Sequence, residues 1–487
     1  MIGFGFGFGF SPHGALLKQK ITHSWVTETV ERYATRNTAF AGTVRYIAPT
    51  GNDANSGLTA ELAKKTVTAA YNASANGDII QFLDGTYNVA DESGGYALIN
   101  LTGKGVLMRG NSANKSAVVL SLTTTGSYLM RTRDCGELRF ENMTFSTNQN
   151  AQLTQMSGAY NSNFIKFYNC DFLHTGAGTG SYFFSLASSV ITNEVTRHIE
   201  FNTCKFVGIG EMSAQPIALN NAGINTSVLL LNCEFEMTAR SAFFSGDATR
   251  AKFHLYGNKI TMKGDVLAVS FGTDTGIPAN TITLVDFRGN EITFEGAYSQ
   301  HGILMGRGTN AVICQNNKVI MPGINNAAAI GLVFKTVSTN VGDSVFEGNY
   351  VVAPRPFYIK GGKNGTFEHN SFISNEEHFE AFGFTNYKLS ADEVLSQGNV
   401  VKNNNLVANT YGIATYNTVD ESQEVMDTLK SCDINNNKYY LPNKYALNGD
   451  TAAEYLFDER ADFWGASTND DESILITAIQ LPIELPV

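Results

Sequence analysis

The chain has 487 residues and carries 45 acidic against 34 basic side chains, a formal charge of −11, which disfavours a general affinity for nucleic acid. Only 16% of residues are charged while aromatics reach 11% and Gly numbers 46, a composition suited to many strands and turns. No stretch approaches the roughly 20 apolar residues of a membrane span, and the six cysteines, at 135, 170, 204, 233, 314 and 432, lack C-x-x-C spacing, so neither a metal nor a cofactor is expected.

Residues 1–10 alternate Gly with aromatic residues and, held extended, place Phe4, Phe6, Phe8 and Phe10 on one face. Four aromatics on one edge suit docking onto a partner by strand addition. A low-complexity terminus without order is the alternative. No basic stretch precedes them and no long aliphatic core follows, so they do not read as a secretory signal. Residues 12–40 read as a connector with a helical piece near Ser24 to Tyr33. The expected division is an arm and connector over 1–42, a repeat over 43–440, and a tail over 441–487 that caps the far end or joins subunits.

The repeat opens with Tyr46-Ile47-Ala48-Pro49-Thr50-Gly51-Asn52-Asp53, a helix-like Ala63 to Ala70, Asn76-Gly77-Asp78-Ile79-Ile80 and Asp84-Gly85-Thr86-Tyr87. Less regular coils follow from Ala97 to Phe145. From there, apolar anchors recur at Phe145, Phe172, Phe206, Phe235, Ile260, Ile292, Val319, Val351, Phe372, Leu406 and Tyr439, with spacings of 21 to 34 residues. Such a period is that of a solenoid. Before each anchor, apolar and polar residues alternate, as in Ile165 and Phe167 or Val285 and Phe287, so the coils are built of strands.

Three columns fix the register. Three residues before each anchor, nine of eleven positions are Asn or Gly, which marks a left-handed bend between two strands. Two residues before it stand Met143, Cys170, Cys204 and Cys233, then Asn from 258 to 437, an inward column whose amides can bond from rung to rung. The residue just before it reads Asp171, Lys205, Glu234, Lys259, Glu291, Lys318, an outward stripe of alternating charge. The long intervals 173–198 and 207–227 read as lateral loops.

Strand, left-handed bend, strand and a stacked Asn ladder resemble the pectate-lyase-like right-handed parallel β-helix superfamily, including its phage tail-spike and receptor-binding members. The resemblance implies an all-β right-handed parallel β-helix, a solenoid of about eleven or more coils with an N-terminal arm and a capping helix. It also implies a homotrimer, since spikes of this fold are typically trimers, although no coiled-coil heptads accompany it.

The calcium-binding carboxylate cluster of a pectate lyase is not found at coil spacing. Lys115, with Arg131 or Arg133, resembles superficially the base and acid of alginate-lyase-like β-helices; a surface lysine is the simpler reading. Glu347 and Glu368, both four residues before their anchors on adjacent rungs, are the candidate catalytic pair, since like charges placed so closely suit acid–base work. His254, Tyr256, Asp286 and Arg288, on neighbouring rungs, are the candidate glycan-binding residues. The expected function is a virion spike or receptor-binding protein that docks other virion proteins through its arm and recognises host surface polysaccharide. A polysaccharide lyase or hydrolase, or a purely structural virion protein, is the alternative.

Overall fold

A computed structural model describes residues 40–440 except 93–98, 125–127, 134, 158–163, 177–181, 188–196, 209–216, 220–225, 238–243, 246–251, 264–268, 272–283, 296–300, 306–310, 322–329, 335–343, 361–363, 376–380, 386–397, 409–412 and 417–431. Phe4, Phe6, Phe8 and Phe10, the helical piece expected at 24–33 and the tail 441–487 lie outside the described residues. The chain is a parallel β-helix. Two long sheets, of 14 and 13 strands, run its length, and its third side is two six-stranded blocks. The coil number differs from the count of anchors, because Gly85–Asn88 and Val118–Leu122 join the 13-stranded sheet ahead of the strand that carries Phe145.

The opening segment departs from its expected helix. Lys64 bridges the first strand at Ile47 instead, Ala48 N–H donating to Lys64 O and Lys64 N–H to Tyr46 O. The helix therefore starts later, at Val67–Ala73, with Thr66 as its N-cap. The buried carboxylate of Glu92 accepts from the first two helical N–H groups, Val67 and Thr68, at 2.9 Å each. Helix ends need such acceptors.

All eleven bend residues, from Asn142 to Asn436, have φ between 50° and 66°. At Gly257 and Gly348 a side chain is excluded twice over, by that φ and because a Cβ would sit 2.6 Å from Asn232 Oδ1 and 2.4 Å from Asn316 Oδ1. The Asn column is buried and closed. Asn258 donates to Asn290, Asn290 to Asn317, Asn317 to Asn349, Asn349 to Asn370, Asn370 to Asn404 and Asn404 to Asn437, each Nδ2 to Oδ1 at 2.8–3.0 Å. Each amide also donates to a backbone carbonyl of the preceding rung, such as Asn317 to Phe287 O. Buried amides are tolerated because they are saturated in this way. On the rungs of Met143, Cys170, Cys204 and Cys233, where the column holds no Asn, the anchors Phe145, Phe172, Phe206 and Phe235 stack at centroid spacings of 5.0, 4.7 and 4.4 Å. All six cysteines are buried free thiols.

Two expectations need correction. The intervals 173–198 and 207–227 hold strands, Tyr182–Ala187 and Ile217–Leu219, that form the third side. Their Gly- and Ser-rich surroundings hid them. The charge stripe is in register, Asp171 beside Lys205, then Glu234, Lys259, Glu291 and Lys318. But Asp171 pairs with Lys115 Nζ at 2.6 Å, because Lys115 sits on a short 3-10 turn that brings its amine over this strand. Lys115 is thus an ion-paired, partly covered lysine.

Candidate functional site on the outer face of the long sheet

Strand alternation sends Leu138 and Phe140 into the core and Glu137, Arg139 and Glu141 outward, and the same phase holds along the 14-stranded sheet. Three outward columns result. The middle one runs Leu107, Arg139, Lys166, Glu200, Leu229, His254, Asp286, Ile313, Val345, Thr366, Val400, Asp433 in register. Every candidate residue of the two sequence-derived sites lies on this face, in the middle column or the one beside it.

His254 and Asp286 face each other across adjacent strands, as do Tyr256 and Arg288. The four are joined in one hydrogen-bonded chain. His254 Nδ1 lies 3.1 Å from the Tyr256 hydroxyl, which donates to Asp286 Oδ2 at 2.8 Å, and Arg288 holds the same carboxylate through Nε and, at 3.0 Å, through Nη2. Asp286 is fully buried and His254 nearly so, while Tyr256 and Arg288 are half-buried. Burial pushes the Asp286 carboxyl above its ordinary value even though Arg288 and Tyr256 favour its charge. The half-buried members of the network are the Tyr256 ring and the Arg288 guanidinium, both held from beneath by Asp286.

Glu347 and Glu368 are direct neighbours on adjacent strands, both half-buried. Gln315 Nε2 donates to Glu347 Oε2 at 2.8 Å, and Lys402 is the next residue in the column after Glu368. The pair expected from the sequence is thus brought together, with an amide on one side and an amine on the other.

A further cluster, not singled out in the sequence, lies toward the near end on Glu137–Glu141, Phe164–Tyr168 and Arg197–Asn202. Glu137 binds both Arg139 Nη2, at 2.9 Å, and Lys166 Nζ, at 3.2 Å, and His198 Nε2 lies 3.3 Å from Glu200 Oε2. Burial opposes charge on Glu200, yet the hydrogen bond and charge of His198, the Tyr168 hydroxyl and Lys166 outweigh it, so its carboxyl sits below the ordinary value. Burial and the Glu200 carboxylate push the Tyr168 phenol upward. Arg139 lies over the Tyr168 ring at 5.5 Å. Lys166, Glu200, His254 and Asp286 all fall six residues before their anchors. That column carried the signal.

Among the described residues no group of three or more His, Cys, Asp or Glu is placed to hold a metal ion, and no helix is long and apolar enough to cross a membrane.

No family model matches the chain, and no curated protein matches it. Among solved structures it is similar to a mannuronic acid specific polysaccharide family 6 lyase from human gut microbiota, at 11% identity and TM-score 0.47 over 83% of this chain and 88% of that one. The alginate lyase AlyGC is similar at 13% identity and TM-score 0.44, over 83% and 56%. The tailspike protein 3 of bacteriophage CBA120 is similar at 12% and 0.41, over 79% and 59%. These are likenesses of fold.

Proposed function

We propose that this parallel β-helix recognises a polysaccharide along the outer face of its 14-stranded sheet, as a spike or receptor-binding protein of a bacteriophage virion. The observation that carries the reading is the Tyr256 ring, half-buried and fixed through its hydroxyl to Asp286, beside the half-buried Arg288. An aromatic face held rigid next to a cation suits stacking on a sugar ring and hydrogen bonding to its hydroxyl or carboxylate groups. In this reading Phe4, Phe6, Phe8 and Phe10 dock the chain onto other virion proteins, and three chains assemble. The test is a glycan array probed with the full chain. Tyr256→Ala is expected to weaken the bound glycan by about tenfold, the equivalent of about 1.4 kcal/mol. Undiminished binding removes the site.

A second reading, a lyase or hydrolase, is favoured by Glu347 and Glu368 standing in register on adjacent strands. Glycoside hydrolysis uses a pair of carboxylates. New reducing ends or unsaturated uronates from host polysaccharide, lost in Glu368→Gln, are the expected result. Cleavage that survives this substitution excludes the pair.

A further inference from the structure

We infer that His174 is an acid-sensitive latch of the solenoid: its protonation releases the corner where residues 174–176 lie on residues 147–151 and loosens the third side there, while the two long sheets hold. The inward column that contains it runs Thr147, His174, Gly208, Met237, Met262, Phe294 in register. His174, fully buried, is the one member of that run that titrates near neutral pH.

Both ring nitrogens are committed. Gly176 N–H donates to Nδ1 at 3.2 Å, so the proton of the neutral ring sits on Nε2, which donates to Ala151 O at 2.9 Å. A second proton would place an N–H at Nδ1 against the Gly176 N–H, donor against donor, in a site without solvent exposure. Phe183 meets the ring in a T-shaped contact at 6.2 Å between centroids, and Thr147 and Gly208 flank it on the neighbouring strands. Among the described residues of Thr144–Thr147, 148–151, Tyr182–Ala187 and Lys205–Gly208, no carboxylate or amine turns toward it. Asp171 and Lys205 stand outward at the far ends of their strands. A charged ring would have no counter-ion here, and that makes its burial costly.

The corner itself is tight. A Cβ on Gly176 would lie 2.2 Å from Gln149 O, so the two coils touch backbone to backbone there, and Thr175 N–H donates to Thr147 O at 2.9 Å. Ala151 leads directly into Gln152–Ser157, a strand of the third side that pairs with Tyr182–Ala187. The imidazole thus ties the bend of one coil to the strand start of the coil before it. Burial holds that imidazole below its ordinary value. The latch's contribution is therefore whole above the unfolded pKa of about 6.5 and is lost as pH falls through the folded one.

The experiment is hydrogen exchange of the full chain, read by mass spectrometry at about pH 8 and about pH 5, the ends of the range in which histidine changes charge, with labelling times scaled to the intrinsic rate. Acid is expected to lower protection in peptides spanning 147–157 and 171–187 by about tenfold or more and to leave 312–320, on later rungs, unchanged. Equal protection at both pH values, or a loss shared by 312–320, overturns the inference. His174→Met, which installs the residue found at 237 and 262 of the same column, is expected to keep the corner protected in acid. An undiminished acid response in that variant overturns the inference too. Exchange at the imidazole carbon between the two nitrogens gives a second measurement on the unsubstituted chain. Its midpoint for His174 is expected below about 6.5, and a midpoint at or above that value counts against the latch.

Discussion

The two long sheets share a backbone plan and differ in what lies outside them. On the 13-stranded sheet the outward charges stand in water, Lys318 and Glu291 with side chains 48% and 44% exposed and 3.0 Å apart. On the 14-stranded sheet, Lys166 and Glu137 are 4% exposed each and 3.2 Å apart. An ion pair in water is worth little because hydration already satisfies both charges. A covered pair has lost that hydration, so each partner depends on the other. The lesson is that identical register on two faces of one solenoid gives decoration on one and a constrained polar site on the other.

Breaking the covered pair gives the largest expected effect. Lys166→Ala removes one of the cations held by the buried Glu137 carboxylate and is expected to cost about 3 kcal/mol, read from denaturant midpoints. A loss below about 0.5 kcal/mol would mean that the face is wet after all. Smaller, and opposite in sign at two positions, are the pH effects. The Glu200 carboxyl is held below its ordinary value, so its contribution is present above the unfolded pKa of about 4.3 and lost as pH falls through the folded one. Asp286 is pushed above its ordinary value, so its contribution is fullest below the unfolded pKa of about 3.9 and lost as pH rises through the folded one. The stability gap between the unsubstituted chain and Glu200→Gln should therefore narrow on acidification, while that with Asp286→Asn should shift the other way. Two parallel profiles over the carboxylate range would contradict the assignment. Lys318→Ala, on the open sheet, is expected to change stability least, by about 0.2–0.5 kcal/mol; a change above 1 kcal/mol would erase the contrast between the faces.

Much of this architecture was legible because a solenoid writes its geometry in short-range periodicity. Asn169 marks a left-handed bend by residue type, Cys170 and Asn258 share one column, and Asp171 and Lys205 share another, all by counting back from an anchor. The third side was less legible. Tyr182–Ala187 and Ile217–Leu219 follow intervals of unequal length, so no fixed offset ties them to an anchor. Of the candidate sites, the sequence placed His254, Tyr256, Asp286 and Arg288 on one face, and Glu347 beside Glu368. It passed over Lys166, His198 and Glu200, because an outward Lys or Glu on a strand looks the same whether or not something lies over it.

By itself, then, the sequence determined the strands, the bends, the inward Asn ladder and the pairing of each residue with its counterpart a rung away, since all of these follow from local φ preference and period-2 alternation. Only the tertiary structure decided which outward residues are covered, that Asp171 joins Lys115 and not its neighbour in the stripe, and that Glu200 and Asp286 sit in environments that move their carboxyls in opposite directions. Burial of an outward side chain depends on segments far away in the chain, and no local pattern encodes that distance.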